Sequence, residues 1–330
     1  MNSSKESEMR AERFTKFSRG MRLPLIAAPM FLVSGPELVV AAARAGVAAA
    51  FPAPNARTLE TLQQWLEEIT QYQATHQGGG PWALNLVTHS SYDRLSAELE
   101  LVDRYQPPLV ITALGSPASA VSRVHAYGGM VFADVSNLAF ARKAVAMGVD
   151  GLVLVCAGAG GHTGTLSPFS FVAAVREFFD GIIVLAGSIG NGGAVRAAQA
   201  MGADLAYAGT PFIVANESLA AVEYKDMVVR ASLEDLVLTK TFTGADAWYL
   251  CESIIAAGLD PNSLVGKDKM DWTNSQGQLK AWRNIWSAGQ GVNAIHSRES
   301  VASIVERLVA EYRAAAEQPV FADVVSGKRK

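Results

Sequence analysis

Ile182-Ile183-Val184-Leu185-Ala186-Gly187-Ser188-Ile189-Gly190-Asn191-Gly192-Gly193 decides the fold, read together with Ala203-Asp204-Leu205-Ala206-Tyr207-Ala208-Gly209-Thr210-Pro211-Phe212. Each is a short apolar run that stops at Gly and a hydroxyl residue, with a helix-like segment after it. Two such turns side by side present backbone N–H groups and hydroxyls to one phosphate. In a βα barrel, the loops after strands 7 and 8 build that kind of site.

Working outward, short apolar runs alternate with amphipathic stretches. Strands are predicted at Leu25–Ala28, Val47–Phe51, Trp82–Val87, Leu109–Thr112, Met130–Ala133, Gly151–Val155, Ile182–Ala186 and Leu205–Ala208. Repeated β-then-α order implies parallel strands, because parallel neighbours need crossover connections. Eight units in about two hundred residues predict a TIM (β/α)8 barrel. Ser34, Thr58 and Asn137 are candidate helix N-caps, and Gly46 a helix end. Residues 1–12 are polar and expected to fray. After Asn216 strand signals fade and helical ones dominate, with Trp248, Trp272, Trp282 and Trp286 in that part. The expected organisation is a barrel of residues 1–217 and 293–330. A smaller helical domain, 218–292, is inserted after the eighth strand and covers the mouth. Val301–Tyr312 is expected to pack back as the closing helix.

Composition narrows the partners. Of 330 residues, 50% are hydrophobic and 18% charged, and the net charge is −3. That suits an enzyme with strands buried on both faces. It gives no reason to expect nucleic acid or an anionic membrane as partner. Cys156 and Cys251 form neither a ligand cluster nor a disulfide framework, and the five histidines show no metal spacing. Lys5, Glu6, Glu8 and Arg10 argue against a signal peptide. The chain reads as cytoplasmic, acting on a small molecule, with a homodimer left open.

A third motif, Val155-Cys156-Ala157-Gly158-Ala159-Gly160-Gly161-His162-Thr163-Gly164, follows the sixth strand and so falls at the same mouth. Its glycines let a flat ligand approach the backbone. A histidine there is placed for general acid–base work, with an unperturbed pKa near ~6.5.

These motifs, with Ala27-Ala28-Pro29-Met30, Asn85 in Trp82-Ala83-Leu84-Asn85-Leu86, and Trp286-Ser287-Ala288-Gly289-Gln290-Gly291-Val292, occur in the order seen in the nitronate monooxygenase (2-nitropropane dioxygenase) family, which the chain resembles past residue 20. The resemblance implies an FMN-dependent barrel with a helical second domain. Gly187, Ser188, Gly209 and Thr210, flanked by Ala186 and Ala208, resemble the phosphate cradle. Ala28, Pro29 and Met30 resemble the segment against the isoalloxazine, Asn85 its polar partner, and Gly160 and Gly161 the close approach. Gly289, Gln290 and Gly291 resemble a lid segment reaching the cofactor. His162 resembles the catalytic histidine that takes the α-proton of a neutral nitroalkane. The implied reaction is oxidation of alkyl nitronates by O2 to a carbonyl compound and nitrite.

The sequence also departs from the family pattern. Ser188 stands for a glycine, Pro211 for an arginine, Val155 for a glutamine and Gly158 for a glutamate, so the mouth is less polar than is usual. Asp134, ending the fifth strand, has two open readings: a bond to the ribityl chain or flavin ring, or a cap on the next helix. His89 reads as a solvated loop residue. An FMN-dependent NAD(P)H reductase of enoyl thioesters or quinones is the alternative within the superfamily. A flavin-free lyase or isomerase acting on a sugar phosphate is the alternative outside it.

Overall fold

A computed structural model describes residues 2–76, 78–266 and 283–318, so Trp272 and Trp282 lie outside the described residues. Eight parallel strands close into a barrel: β1 (Leu25–Ala27), β2 (Ala48–Pro52), β3 (Trp82–Val87), β4 (Leu109–Ala113), β5 (Met130–Val135), β6 (Gly151–Val155), β8 (Ile182–Ala186) and β9 (Leu205–Ala208). The short strand β7 (Gly161–His162) lies outside the barrel. β9 pairs in parallel with both β8 and β1, which closes the ring and sets the two glycine turns on neighbouring strands. Every expected strand is found, with ends shifted by a residue or two.

Side chains alternate along each strand. One set, including Leu25, Leu84, Val131 and Leu185, packs outward against the helices. The other, including Ile26, Ala50, Ala83, Phe132, Val153 and Val184, fills the barrel. Carrying that alternation to the strand ends puts Asn85, Asp134 and Tyr207 on the inner face at the C-terminal mouth. The other inward positions there, such as Ala28, Pro52, Val155 and Ala186, are apolar.

The opposite end is closed by the helix Asn2–Ser18, where the sequence suggested fraying. Phe14, Phe17 and Met21 pack into the barrel interior. Burying a side chain such as Phe17 contributes about 1.5–3 kcal/mol, which outweighs the polar character of the preceding residues. Arg13 adds an ion pair to Asp150 at 2.7 Å.

Local chemistry fixes the helix ends. Thr58 accepts from Thr61 N and Asn137 from Phe140 N, as expected of N-caps. Gly46 ends Pro36–Ala45 in the left-handed region at φ 85°. Ser34 is not the cap of that helix, which begins after Gly35. Its hydroxyl turns back instead to Met30 N and Ala28 O.

The closing helix runs Val301–Ala316, capped by Ser300, and packs between Gly192–Ala200 and Pro36–Ala45. The stretch after Asn216 is not wholly helical. It carries the helix Val222–Arg230 and two strands, β10 (Leu236–Thr239) and β11 (Ala247–Leu250). With β7 these form a three-stranded antiparallel sheet beside the mouth. β10 and β11 span four residues each, too short for a period-two pattern to stand out.

Candidate active site

His162 sits on β7, and the pairing of β7 with β11 fixes where it points. Ala247 is opposite His162, and Trp248 opposite Gly161. Ser287 Oγ accepts from Gly161 N at 2.8 Å and donates to Trp248 O, while Thr163 N bonds Asp246 O at 2.9 Å. The histidine is thus carried by the barrel chain but held by the appended region. Its Nε2 lies 3.1 Å from Thr243 Oγ1, which is also 3.3 Å from Ala245 O. Part of the ring remains open, yet surrounding protein pushes its pKa down to about 4. Desolvation disfavours the imidazolium, so His162 is neutral and able to accept a proton near pH 7.

The segment Ala28–Met30 is pinned from three sides. Ala28 N donates to Ala208 O on β9. Asn55 Nδ2 donates to Met30 O and Ser34 O, and Asn55 Oδ1 accepts from Leu32 N. A Cβ on Gly209 would lie 3.3 Å from Met30 Sδ, so this segment rests on the second glycine turn. Asn85 Nδ2 donates to Ile111 O at 3.1 Å, which leaves its Oδ1 as an acceptor.

Gly289–Gly291, expected as a lid segment, are knit to both loops. Gly289 N donates to Thr210 Oγ1 at 2.9 Å, and Gln290 N to Gly158 O at 2.9 Å. A Cβ on Gly160 would lie 2.7 Å from Gly289 N, and one on Gly190 2.3 Å from Gly291 O. These glycines let backbone meet backbone. In the first turn Gly187 and Ser188 take φ 127° and 60°. Ser188 therefore holds a left-handed conformation that favours glycine. The place of a Cβ on Gly158 is taken by Ser188 Oγ at 2.3 Å and Gln290 Oε1 at 2.7 Å. Ser188 and Gly158 are thus coupled departures: the serine fills the space a larger residue at 158 would need.

The site offers groups for a flavin. Among the described residues, the N–H groups of Gly187, Ile189, Gly190 and Gly209 have no hydrogen-bond partner, and Asp134 Oδ1 and Tyr207 OH are buried without one. Donors stand at the turns and polar atoms on the floor, as a phosphate and a polar ring edge require. The first helical N–H after the turn, Gly192 N, is already bonded to Glu311 Oε2 at 2.7 Å. An open cleft of about 430 Å3, lined by Ser188, Asn191, Gln290, Gly291 and Arg307, adjoins the turn.

Sequence reasoning missed Tyr207, Ser34, Asn55 and Thr243. Tyr207 had a signal: a phenol among small apolar residues on a strand facing inward. Asn55 and Thr243 act through contacts with residues distant in sequence, and Ser34 through the nearby Met30 and Ala28.

The fold is a (β/α)8 barrel with its candidate site at the C-terminal mouth. A profile of the nitronate monooxygenase family matches residues 12–311. The chain belongs to the nitronate monooxygenase family. It is similar to a nitronate monooxygenase of Paraburkholderia phytofirmans, 26% identical over 285 residues, covering 74% of this chain and 78% of that one. Among solved structures it is similar to nitroalkane oxidase from Streptomyces ansochromogenes, with TM-score 0.74, 23% identity, and coverage of 92% of this chain and 99% of that one. It is also similar to FabK from Thermotoga maritima, with TM-score 0.73, 20% identity, and coverage of 94% and 97%. These two likenesses concern the fold. Among the described residues no helix is long and apolar enough to cross a membrane.

Proposed function

We propose that the protein is an FMN-dependent enzyme that oxidises alkyl nitronates, and neutral nitroalkanes after their deprotonation, with O2 to a carbonyl compound and nitrite. The observation that carries the reading is His162, held neutral at the mouth within a family-wide order of motifs. The phosphate is assigned to the turns at Gly187-Ser188 and Gly209-Thr210, with Gly289–Gly291 as the lid. The ring is assigned to Ala28–Met30, Gly161, Asn85 and the floor formed by Asp134 and Tyr207. When bound, FMN supplies the redox chemistry and the chain supplies binding, orientation and proton handling.

His162 takes the α-proton of a neutral nitroalkane. A nitronate is already deprotonated and bypasses that step. The lid, tied to Thr210 and Gly158, keeps bulk water from the ring edge. Anaerobic mixing tests the proposal. Bleaching of the bound flavin by ethylnitronate, without NADH, is the expected result. Rapid bleaching by NADH and none by the nitronate would assign the site to the reductase alternative. A colourless protein that takes up no FMN would remove the flavin reading.

A further inference from the structure

The sheet beside the mouth has two faces, and His162 shares one of them with a buried phenol. Residues opposite each other in an antiparallel pair project from the same face, as do residues two apart on one strand. His162 is opposite Ala247, so it projects with Ala247 and Tyr249, while Trp248 projects with Gly161. Tyr249 is fully buried in an apolar cluster with Ile254, Ile285 and Phe242, whose ring meets it edge-on at 4.9 Å. A phenylalanine would fill that cluster as well, and a buried phenol usually uses its O–H. The Tyr249 hydroxyl is shielded from solvent and lies against Thr243.

The loop between β10 and β11 brings Thr243 there. Gly244 turns it at φ 75°, its N–H donating to Lys240 O at 2.8 Å. Lys240 Nζ and Asp246 Oδ2 stand 3.6 Å apart across the base of the loop, and Asp246 O accepts from Thr163 N, next to the histidine. Thr243 is 8% exposed, and its hydroxyl meets both Tyr249 and His162 Nε2, the latter at 3.1 Å. Ala245 O, 3.3 Å from the same hydroxyl, can only accept, so it competes with Nε2 for the single hydroxyl proton.

We propose that Thr243, backed by Tyr249, is a positioning residue for His162: the threonine hydroxyl holds the Nε2 edge of the imidazole and keeps the ring in one orientation and one neutral tautomer. The two ring nitrogens are distinct, and the hydrogen bond made by one sets the role of the other. A base that takes a proton from carbon has to present its lone pair along a fixed line, and misplacement by an ångström can cost about 10²-fold. The role of His162 as base rests on the function proposed above, whereas the orientation of its ring does not.

Two measurements keep these apart. In the protein as purified, with 15N-labelled histidine, the ring nitrogens of His162 are identified by their loss in His162→Gln and read at pH 7. Wild type is expected to show the two well-separated shifts of a single tautomer. Thr243→Val, of nearly the same shape but without the hydroxyl, is expected to draw the two shifts together, as a mixture does, and Thr243→Ser to restore the separation. Averaged shifts in wild type, or unchanged shifts in the Val variant, overturn the proposal whether or not the protein turns over nitroalkanes. With nitroethane, Thr243→Val is expected to lose about tenfold in kcat with KM little changed, and the Ser variant to recover it. Tyr249→Phe, which leaves the contacts between Thr243 and Ala245 in place, is expected to lose a few-fold. A Ser variant no better than Val reduces Thr243 to a structural part of its loop and overturns the positioning role. A wild-type kcat in Tyr249→Phe removes Tyr249 from it.

Discussion

The two ends of the barrel treat an aspartate in opposite ways. At the N-terminal end Asp150, 2% exposed, accepts from Arg13 at 2.7 Å, from His125 at 2.8 Å and from Val131 N at 2.9 Å. At the C-terminal end Asp134 accepts from nothing among the described residues, and its Oδ1 is buried. The first carboxylate ties the N-terminal helix to the strands it plugs. The second lies at the end of β5, at the candidate site. In this barrel, stability is concentrated at the closed end and unsatisfied chemistry at the open one.

The comparison can be broken or sharpened by mutation, beginning with the largest effect. His162→Gln, at the open end, should lower turnover of neutral nitroalkanes by about 10²–10⁴-fold. Turnover of nitronates should fall far less, as steady-state rates at pH 8 will show. Equal losses on both substrates would remove the base. The same variant has a pH-dependent stability signature. A neutral buried histidine favours the fold fully above 6.5, and that contribution is lost as pH falls through about 4. The Gln variant should therefore gain in melting temperature relative to wild type as pH falls over that range.

At the closed end, Asp150→Ala should cost about 3–5 kcal/mol by removing the buried partner shared by Arg13, His125 and Val131 N. Urea unfolding measures this, and an undiminished flavin spectrum in the folded fraction is expected. A comparable loss from Asp134→Asn at pH 8 would erase the contrast between the two ends. Gly160→Ala puts a Cβ 2.7 Å from Gly289 N. It should cost about 1–3 kcal/mol through overpacking and loosen the lid, read as faster proteolysis near Gly289. The smallest effect is a gain. Ser188→Gly relieves a left-handed serine worth about 1–2 kcal/mol, visible as a raised urea midpoint.

Much of the mouth was legible because it is built from local signals. Gly187, Gly209 and His162 each end an apolar run or follow one, so strand order alone carries them to one face. The appended region was less legible. β10 and β11 are short, and they form a sheet only by enlisting Gly161 and His162 from the barrel chain. The N-terminal helix was misread for a related reason: its polar residues argued for fraying, while the apolar residues that anchor it need the barrel's open end to bury them.

By itself, the sequence determined the barrel, the adjacency of the two glycine turns and the placing of a histidine at their mouth. Strand period, turn chemistry and β-then-α order are short-range properties that a single chain displays in full. Only the tertiary structure decided that Asp150 is bonded and Asp134 is not, that Thr243 holds His162, and that Ser188 and Gln290 occupy the space beside Gly158. Burial and hydrogen bonding between residues distant in the chain exist only once the strands have closed, and the ionisation of His162 and Asp134 follows from them.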